Sequence, residues 1–175
     1  EGMARVRPLL GESLTILANG HGLGRIAGDT LLRSGGQLGA LSPGTVKSLE
    51  GLLHTRSAIA NPLALPPDIT ATNWGAAVTA VLADKNTENV LTVCSPSPFA
   101  QSTEVAAAIC EASRETACNV FTCWVGGTAM LEAQRVAAAQ GVLSHESPEK
   151  AIAVFLGIVS FRRNRELLMQ MPRSL

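Results

Sequence analysis

The stretch Ala18 to Asp29 reads ANGHGLGRIAGD, directly after the apolar run Leu14 to Leu17, and Gly20, Gly22, Gly24 and Gly28 all fall within it. Glycine at this density lets a backbone come close to a neighbour. Two neighbours fit: an anion such as phosphate, or an adjoining strand. Gly20, Gly22 and Gly24 are spaced G-x-G-x-G, one residue short of the dinucleotide fingerprint G-x-G-x-x-G, and no acidic residue closes the second apolar run to hold a ribose. An NAD site is not expected, and without a Gly-Lys-Ser/Thr ending the stretch is no Walker loop either. What remains is helix-end physics. A helix starting near Leu23 would aim unpaired N–H groups and about half a positive charge at the loop, so Asn19, Gly20, His21, Gly22, Leu23 and Gly24 are the candidate phosphate contacts. The plainer reading, a tight strand-to-helix turn with close packing of helix on sheet, stands level with it. His21 could carry or stabilise a phosphoryl group, although a turn histidine without a role is the commoner case.

Other reactive side chains offer less. Ser95-Pro96-Ser97-Pro98 lacks the G-x-S-x-G elbow of a hydrolase nucleophile. The four cysteines, Cys94, Cys110, Cys118 and Cys123, contain no CxxC pair. On one strand Cys118 and Cys123 would stand roughly 16 Å apart at about 3.3 Å per residue, too far to share an ion. They read as buried free thiols, Cys123-Trp124 included. His54 and His145, with Asp29, Asp68 and Asp84, make no metal-ligand spacing. No catalytic residue and no metal ligand is assigned.

The elements that must position these loops follow from hydrophobic period. Short runs rich in β-branched residues, Leu14 to Ala18, Gln37 to Leu41, Val90 to Cys94, Val120 to Val125 and Val142 to His145, alternate with segments of helical period. The helices are expected at Leu23 to Ser34, Pro43 to Leu53, Asn73 to Ala83, Thr103 to Glu115, Ala129 to Gln140 and Pro148 to Gln170. Ser42-Pro43 and Ser147-Pro148 supply N-caps with a first-turn proline, and Gly35 and Gly141 stand where helices should stop. Arg162, Arg163 and Arg165 gather toward the C-terminal half of the last helix, where the macrodipole favours cations, on a solvated or interdomain face. This alternation predicts an α/β fold, a flavodoxin-like doubly wound parallel five-stranded sheet of order 2-1-3-4-5. Ligands of such a sheet sit outside the carboxyl ends of the strands at the switch point, which places Ser95, Pro96 and Ser97, with Gly126 and Gly127, beside the glycine loop.

Bulk composition removes several classes. Lys+Arg and Asp+Glu cancel at 14 each, so no net field draws the chain to nucleic acid or anionic lipid. The longest apolar run, Ala151 to Val159, is less than half of the ~20 residues that cross a bilayer, and no secretory leader opens the chain, so a cytoplasmic location is expected. A flavin or nucleotide binder is disfavoured by the shortage of aromatics: Trp74 and Trp124 are the only tryptophans and tyrosine is absent. The 175 residues suit one domain, 12–170, with 1–11 as the end of a preceding domain or linker helix and 171–175 as a linker, so the chain reads as a piece of a longer polypeptide.

Taken together, LTILANGHGLGRIAGDTLLRSGG, Ala60-Asn-Pro-Leu63, FTCWVGG and Phe161-Arg-Arg-Asn-Arg165 resemble, in order and over nearly the whole chain, the ligase-CoA domain of the NDP-forming, succinyl-CoA-synthetase-like acyl-CoA synthetases. Arg7-Pro-Leu9, Asn61-Pro-Leu63 and Ser95-Pro-Ser97 are most similar to the synthetase-like region of large bacterial GNAT-type protein lysine acetyltransferases. The resemblance implies a phosphohistidine relay in which a histidine of a neighbouring domain passes phosphate to ADP, with the helix opening at the glycine loop helping to hold it. That histidine would lie upstream of Glu1, and His21 is not its counterpart, since the family usually has a small residue there. Ala64 departs from the aspartate common after Asn-Pro-hydrophobic, which favours a degenerate, regulatory copy over full turnover. Acyl-CoA or CoA, and ATP or ADP with Mg, are implied for other domains of the parent (CoA-binding, ATP-grasp and, in the acetyltransferases, GNAT), and no cofactor is assigned to this fragment. Homo-oligomerisation is left open; a noncatalytic scaffold or sensing module and an active ADP-forming synthetase subdomain are the rival readings.

Overall fold

The computed structural model describes residues 7–55 and 58–170. The expected 171–175 linker and the first six residues of the expected leading segment lie outside them. Six parallel strands form the sheet: β1 (Ser13–Asn19), β2 (Gln37–Leu38), β3 (Leu63–Leu65), β4 (Asn89–Cys94), β5 (Asn119–Trp124) and β6 (Leu143–His145). The order β2-β1-β4-β5-β6 is the doubly wound order that the sequence predicts, and β3, which the periodicity does not reveal, is the correction to five strands. β3 is only three residues long, and it shares one edge of β1 with the two-residue β2. Gln37 and Leu38 pair with Ser13 and Leu14 at one end of β1, while Leu63 to Leu65 pair with Leu17 to Asn19 at the other.

Between those two short strands the edge of β1 would be bare, and the side chain of Asn61 fills the gap. Its Oδ1 accepts from the Ile16 amide at 2.9 Å, and its Nδ2 donates to the carbonyls of Leu14 (2.9 Å) and Gly39 (2.8 Å). A carboxamide thus does the work of a missing strand residue, satisfying backbone groups that would otherwise be orphaned. The next peptide bond, Asn61 to Pro62, is cis, and the Pro62 ring packs on the first helix, where a Cβ at Gly28 would come within 2.7 Å of it.

Helices α1 (His21–Arg33), α2 (Pro43–Leu53), α3 (Ala71–Leu82), α4 (Ser102–Ala112), α5 (Leu131–Ala139) and α6 (Pro148–Gln170) cover both faces. Alternation along β1 splits the core. Leu14, Ile16 and Ala18 join Leu91, Val93, Phe121 and Cys123 under α1 and α6, whereas Leu17 joins Val90, Cys94 and Trp124 under α2 to α5. Phe121 of β5 and Phe155 of α6 meet edge to face, with ring centroids 5.8 Å apart, an arrangement aromatic pairs favour. α2 and α6 have the expected bounds, because Ser42 and Ser147 cap them by accepting from the amides of Thr45 and Lys150. No helix among the described residues is long and apolar enough to cross a membrane.

The amino edge is strapped by the incoming chain. Asn119 exchanges two hydrogen bonds with the Arg7 backbone, at 2.8 and 2.9 Å. The Arg7 guanidinium donates to the carbonyls of Thr116, Cys118 and Arg114, just past the end of α4. Glu12 then binds both Arg162 and Arg163 of α6. The arginines lie in the C-terminal half of α6 as read, but the last turn holds no cation, and Arg162 and Arg163 answer to a carboxylate. Arg163 and Arg165 are exposed, as are Phe161, Leu167, Leu168 and Met169 around them.

Replacing Asn61 with alanine strands the Ile16 amide inside the protein and should lower stability by about 2–4 kcal/mol in urea unfolding. Asn61→Asp should be no milder, since an acceptor would then face the carbonyls of Leu14 and Gly39. Arg163, against the opposing pull of burial and helped by Arg162, holds the Glu12 carboxyl at about 2. The contribution is present above the ordinary carboxylate range and is lost as pH falls toward 2; Glu12→Gln should flatten that acid limb in unfolding curves taken across pH.

Candidate functional site

The glycine stretch lies where β1 gives way to α1, at the carboxyl edge of the sheet. Gly20 has φ 134° and ψ 119°, a conformation L side chains rarely adopt, and it turns the chain so sharply that α1 begins at His21. The expected start at Leu23 is thus two residues late, because glycine content was read as loop. His21, Gly22 and Leu23 form the first turn, whose N–H groups have no intrahelical acceptor, and the first bond of the helix runs from the Gly24 amide to the Gly20 carbonyl at 3.3 Å. The side chain of His21, a candidate phosphate contact, lies outside the described atoms. Leu23 is half-buried against the α1/α6 core and anchors the turn.

The glycines divide by physical reason. A Cβ at Gly24 would stand 3.3 Å from that of Ala18 and 3.5 Å from that of Pro62, so Gly24, like Gly28, answers to packing. Gly20 answers to conformation. Gly22 answers to neither: it is exposed, its φ is ordinary, and a Cβ there would meet nothing within 4 Å.

Asn19, also a candidate contact, is engaged. Its Nδ2 donates to the Ser95 carbonyl at 2.8 Å and its Oδ1 accepts from the Ser95 amide at 2.8 Å, with the Ser95 hydroxyl donating to the Asn19 carbonyl at 3.2 Å. The loops after β1 and β4 are thereby tied across the switch point, a link no local pattern reveals. Ser97 accepts from the Phe99 amide and turns toward the Pro67 carbonyl. Gly126, with φ 148°, lies against Pro96, whose ring carbons would come within 2.8 Å of a Cβ there, and exposed Gly127 opens a 3-10 turn, Gly127–Met130, ahead of α5. Ser95 thus joins the glycine turn through Asn19, and Gly126 joins the same loop through Pro96.

The helix ends at this edge differ in electrostatics. Ser42, Thr70 and Ser147 cap α2, α3 and α6, which follow the flanking strands. The helices after the central strands lack a side-chain cap; α4 and α5 carry Glu104 and Glu132 in their first turns, and α1 has neither cap nor carboxylate. Among the six described α-helices, α1 alone presents a wholly uncompensated positive end. Below the mouth, Asn19, Trp74, Ser95, Ser97, Trp124 and Met130 line a cavity of about 10 Å³, room for about one water. Trp74 and Trp124 are core residues, with the Trp124 Nε1 donating to Thr122 Oγ1 at 3.0 Å. A flavin would find no aromatic face on either of them.

His145 ends β6 at the same edge, half-buried; burial, and then Lys150, push its pKa below the usual range, which keeps it neutral at pH 7. His54 sits apart at the left-handed end of α2. Among the described residues no group of three or more His, Cys, Asp or Glu side chains could hold a metal ion.

No protein-family model matches the chain. In sequence it is similar to the ADP-forming acetate–CoA ligase I of Archaeoglobus fulgidus, 26% identical over 140 residues that make up 80% of this chain and 20% of the relative. In fold it resembles the dinucleotide-forming acetyl-coenzyme A synthetase 1 of Ca. Korarchaeum cryptofilum in complex with phosphate and ADP, at TM-score 0.87 and 21% identity, over 95% of this chain and 37% of that one. A Pyrococcus horikoshii OT3 protein has the same fold, at TM-score 0.85 and 24% identity, over 90% of this chain and 38% of that one. The chain thus spans a fifth of its curated relative and little more than a third of these solved chains.

Cys94 also borders the cavity below the mouth, yet no cysteine is exposed. All four are buried and free; burial drives the Cys94 thiol far above its ordinary range, Cys123 up to about 12 and Cys110 up to about 11. A thiol-specific chromogenic reagent should find none of the four accessible in the native protein at pH 8 and all of them after urea unfolding. Fast native labelling of Cys94 or Cys123 would contradict this.

Proposed function

We propose that these 175 residues are one domain of a multidomain, NDP-forming acyl-CoA synthetase-like protein, and that the open end of α1 receives a phosphate or phosphohistidine presented by another domain. The single observation that carries the reading is Gly22: a glycine in a first helical turn that neither φ nor internal packing explains, on the one helix without cap or acidic residue. Gly51 and Gly157 are as free of contacts, but they lie inside helices; at Gly22 the missing side chain leaves the uncapped helix end open to an incoming group. The cavity below the mouth, about 10 Å³, is too small for a base and ribose, which suits an anion resting on the edge.

Sequence similarity to an ADP-forming acetate–CoA ligase supports acyl-CoA synthetase chemistry for the parent, with CoA and ATP or ADP handled in its other domains. Within that family, the resemblance to the synthetase-like region of protein lysine acetyltransferases and the presence of Ala64 in β3 favour a regulatory or degenerate copy in the cytoplasm. On this reading the isolated chain turns over nothing. Formation of ATP from acetyl-CoA, ADP and phosphate by these residues alone would overturn that part of it.

Titrating millimolar phosphate while following amide resonances tests the site itself. The Gly20, Gly22 and Leu23 signals should shift and saturate, and Gly22→Glu, which places a carboxylate at the helix end, should abolish the response. Gly22→Ala should leave stability within about 1 kcal/mol of the parent or slightly above it. Silence of those three amides would favour a noncatalytic interdomain scaffold whose glycine turn serves packing only.

A further inference from the structure

Asn19-Gly20 is the only Asn-Gly pair in the chain, and it falls at the mouth, at the last residue of β1 and the turn that opens α1. Asparagine followed by glycine is chemically labile, because a residue without a side chain leaves its nitrogen open to the preceding carboxamide. The Gly20 nitrogen attacks Cγ of Asn19, ammonia leaves, and the five-membered succinimide takes up water to give aspartate or isoaspartate. For the attack, the carboxamide must swing back over its own following peptide. Here it cannot: both its ends are tied to Ser95, Nδ2 to the carbonyl and Oδ1 to the amide, each at 2.8 Å, and the residue is paired with Leu65 of β3 on its other side. The turn itself is open, since Gly20 is only half-buried and a Cβ there would meet nothing within 4 Å.

We propose that Asn19-Gly20 is a latched deamidation site, held intact by its pair of hydrogen bonds to the Ser95 backbone and converted to an acid when the loop after β4 lets go. The product matters at this position. An aspartate at residue 19 sets a permanent negative charge beside the one helix end left uncompensated, satisfying its amides and repelling any incoming anion. That consequence rests on the anion reading proposed above; the latch itself does not.

Two measurements on the full chain separate them. At mildly alkaline pH, peptide mapping by mass spectrometry follows acid formation at residue 19 in native protein, in urea and in a synthetic peptide of residues 15–24, while hydrogen exchange follows the Ser95 amide. Native conversion should be slower by roughly tenfold or more than in the peptide, because closure must await local opening. Through mild urea, conversion should rise in step with Ser95 exchange. Conversion at the peptide's rate while the Ser95 amide stays protected would overturn the latch. The Ser95→Ala variant, which loses only the hydroxyl contacts, should convert as the parent does, and rapid conversion with the Ser95-to-Ala backbone amide still protected would also overturn it. In the second measurement, phosphate is titrated against parent and Asn19→Asp. A response in the parent lost in the variant supports the charge effect, a response kept in both overturns it, and none in either overturns the anion reading while leaving the mass result to judge the latch.

Discussion

Everything at the mouth depends on the exact seating of β1, and β1 is held on both sides by asparagine carboxamides standing in for peptides. Asn61 joins it to the edge where β2 has stopped and β3 has not begun; Asn19 joins its end to the loop after β4. A carboxamide has the donor and acceptor of a backbone unit, so either can continue a ladder where strands leave it open. Neither aspartate nor glutamine would serve: one lacks the donor, and the other adds a carbon to a distance fixed near 2.8 Å. The same segment that carries Asn61 puts Pro62 against α1, so the strand and the helix that leaves it are aligned by adjoining residues.

What could be read from the sequence follows from how local each feature is. The bounds of α2 and α6 were legible because a serine cap and a first-turn proline sit beside each other at Ser42-Pro43 and Ser147-Pro148. β3 was not, because a strand of three residues has no period to detect, and its pairing is set by Asn61 and by β1 rather than by its own composition. β2 was expected to reach Leu41 and stops at Leu38, where Asn61 takes over. At the carboxyl edge, the adjacency of the loops after β1 and β4 was legible from strand order alone. The division of labour among the glycines was not, since Gly22 and Gly24 differ only in what surrounds them in space, and Asn19 binds a residue 76 positions away.

The electrostatic layout gives these loops a common orientation. Every helix at the carboxyl edge points its amino end the same way, yet the flanking ones consume their positive ends internally with Ser42, Thr70 and Ser147. The uncancelled potential is concentrated at the middle of the sheet, above β1, and the neighbouring loops 95–103 and 125–131 contain no charged side chain to add to it or oppose it. Any preference for negative oxygen there would come from fixed amides and not from mobile lysines.

The strap at the opposite edge sets a mechanical boundary. Arg7 and Glu12 tie the entering chain to the far end of α4 and to the middle of α6. A tug at residue 7 is borne in shear by those bonds at the base of the sheet, a full strand length away from the Asn19 and Gly20 turn. Strain entering at Arg7 thus meets the base of the sheet before the helix end at its summit.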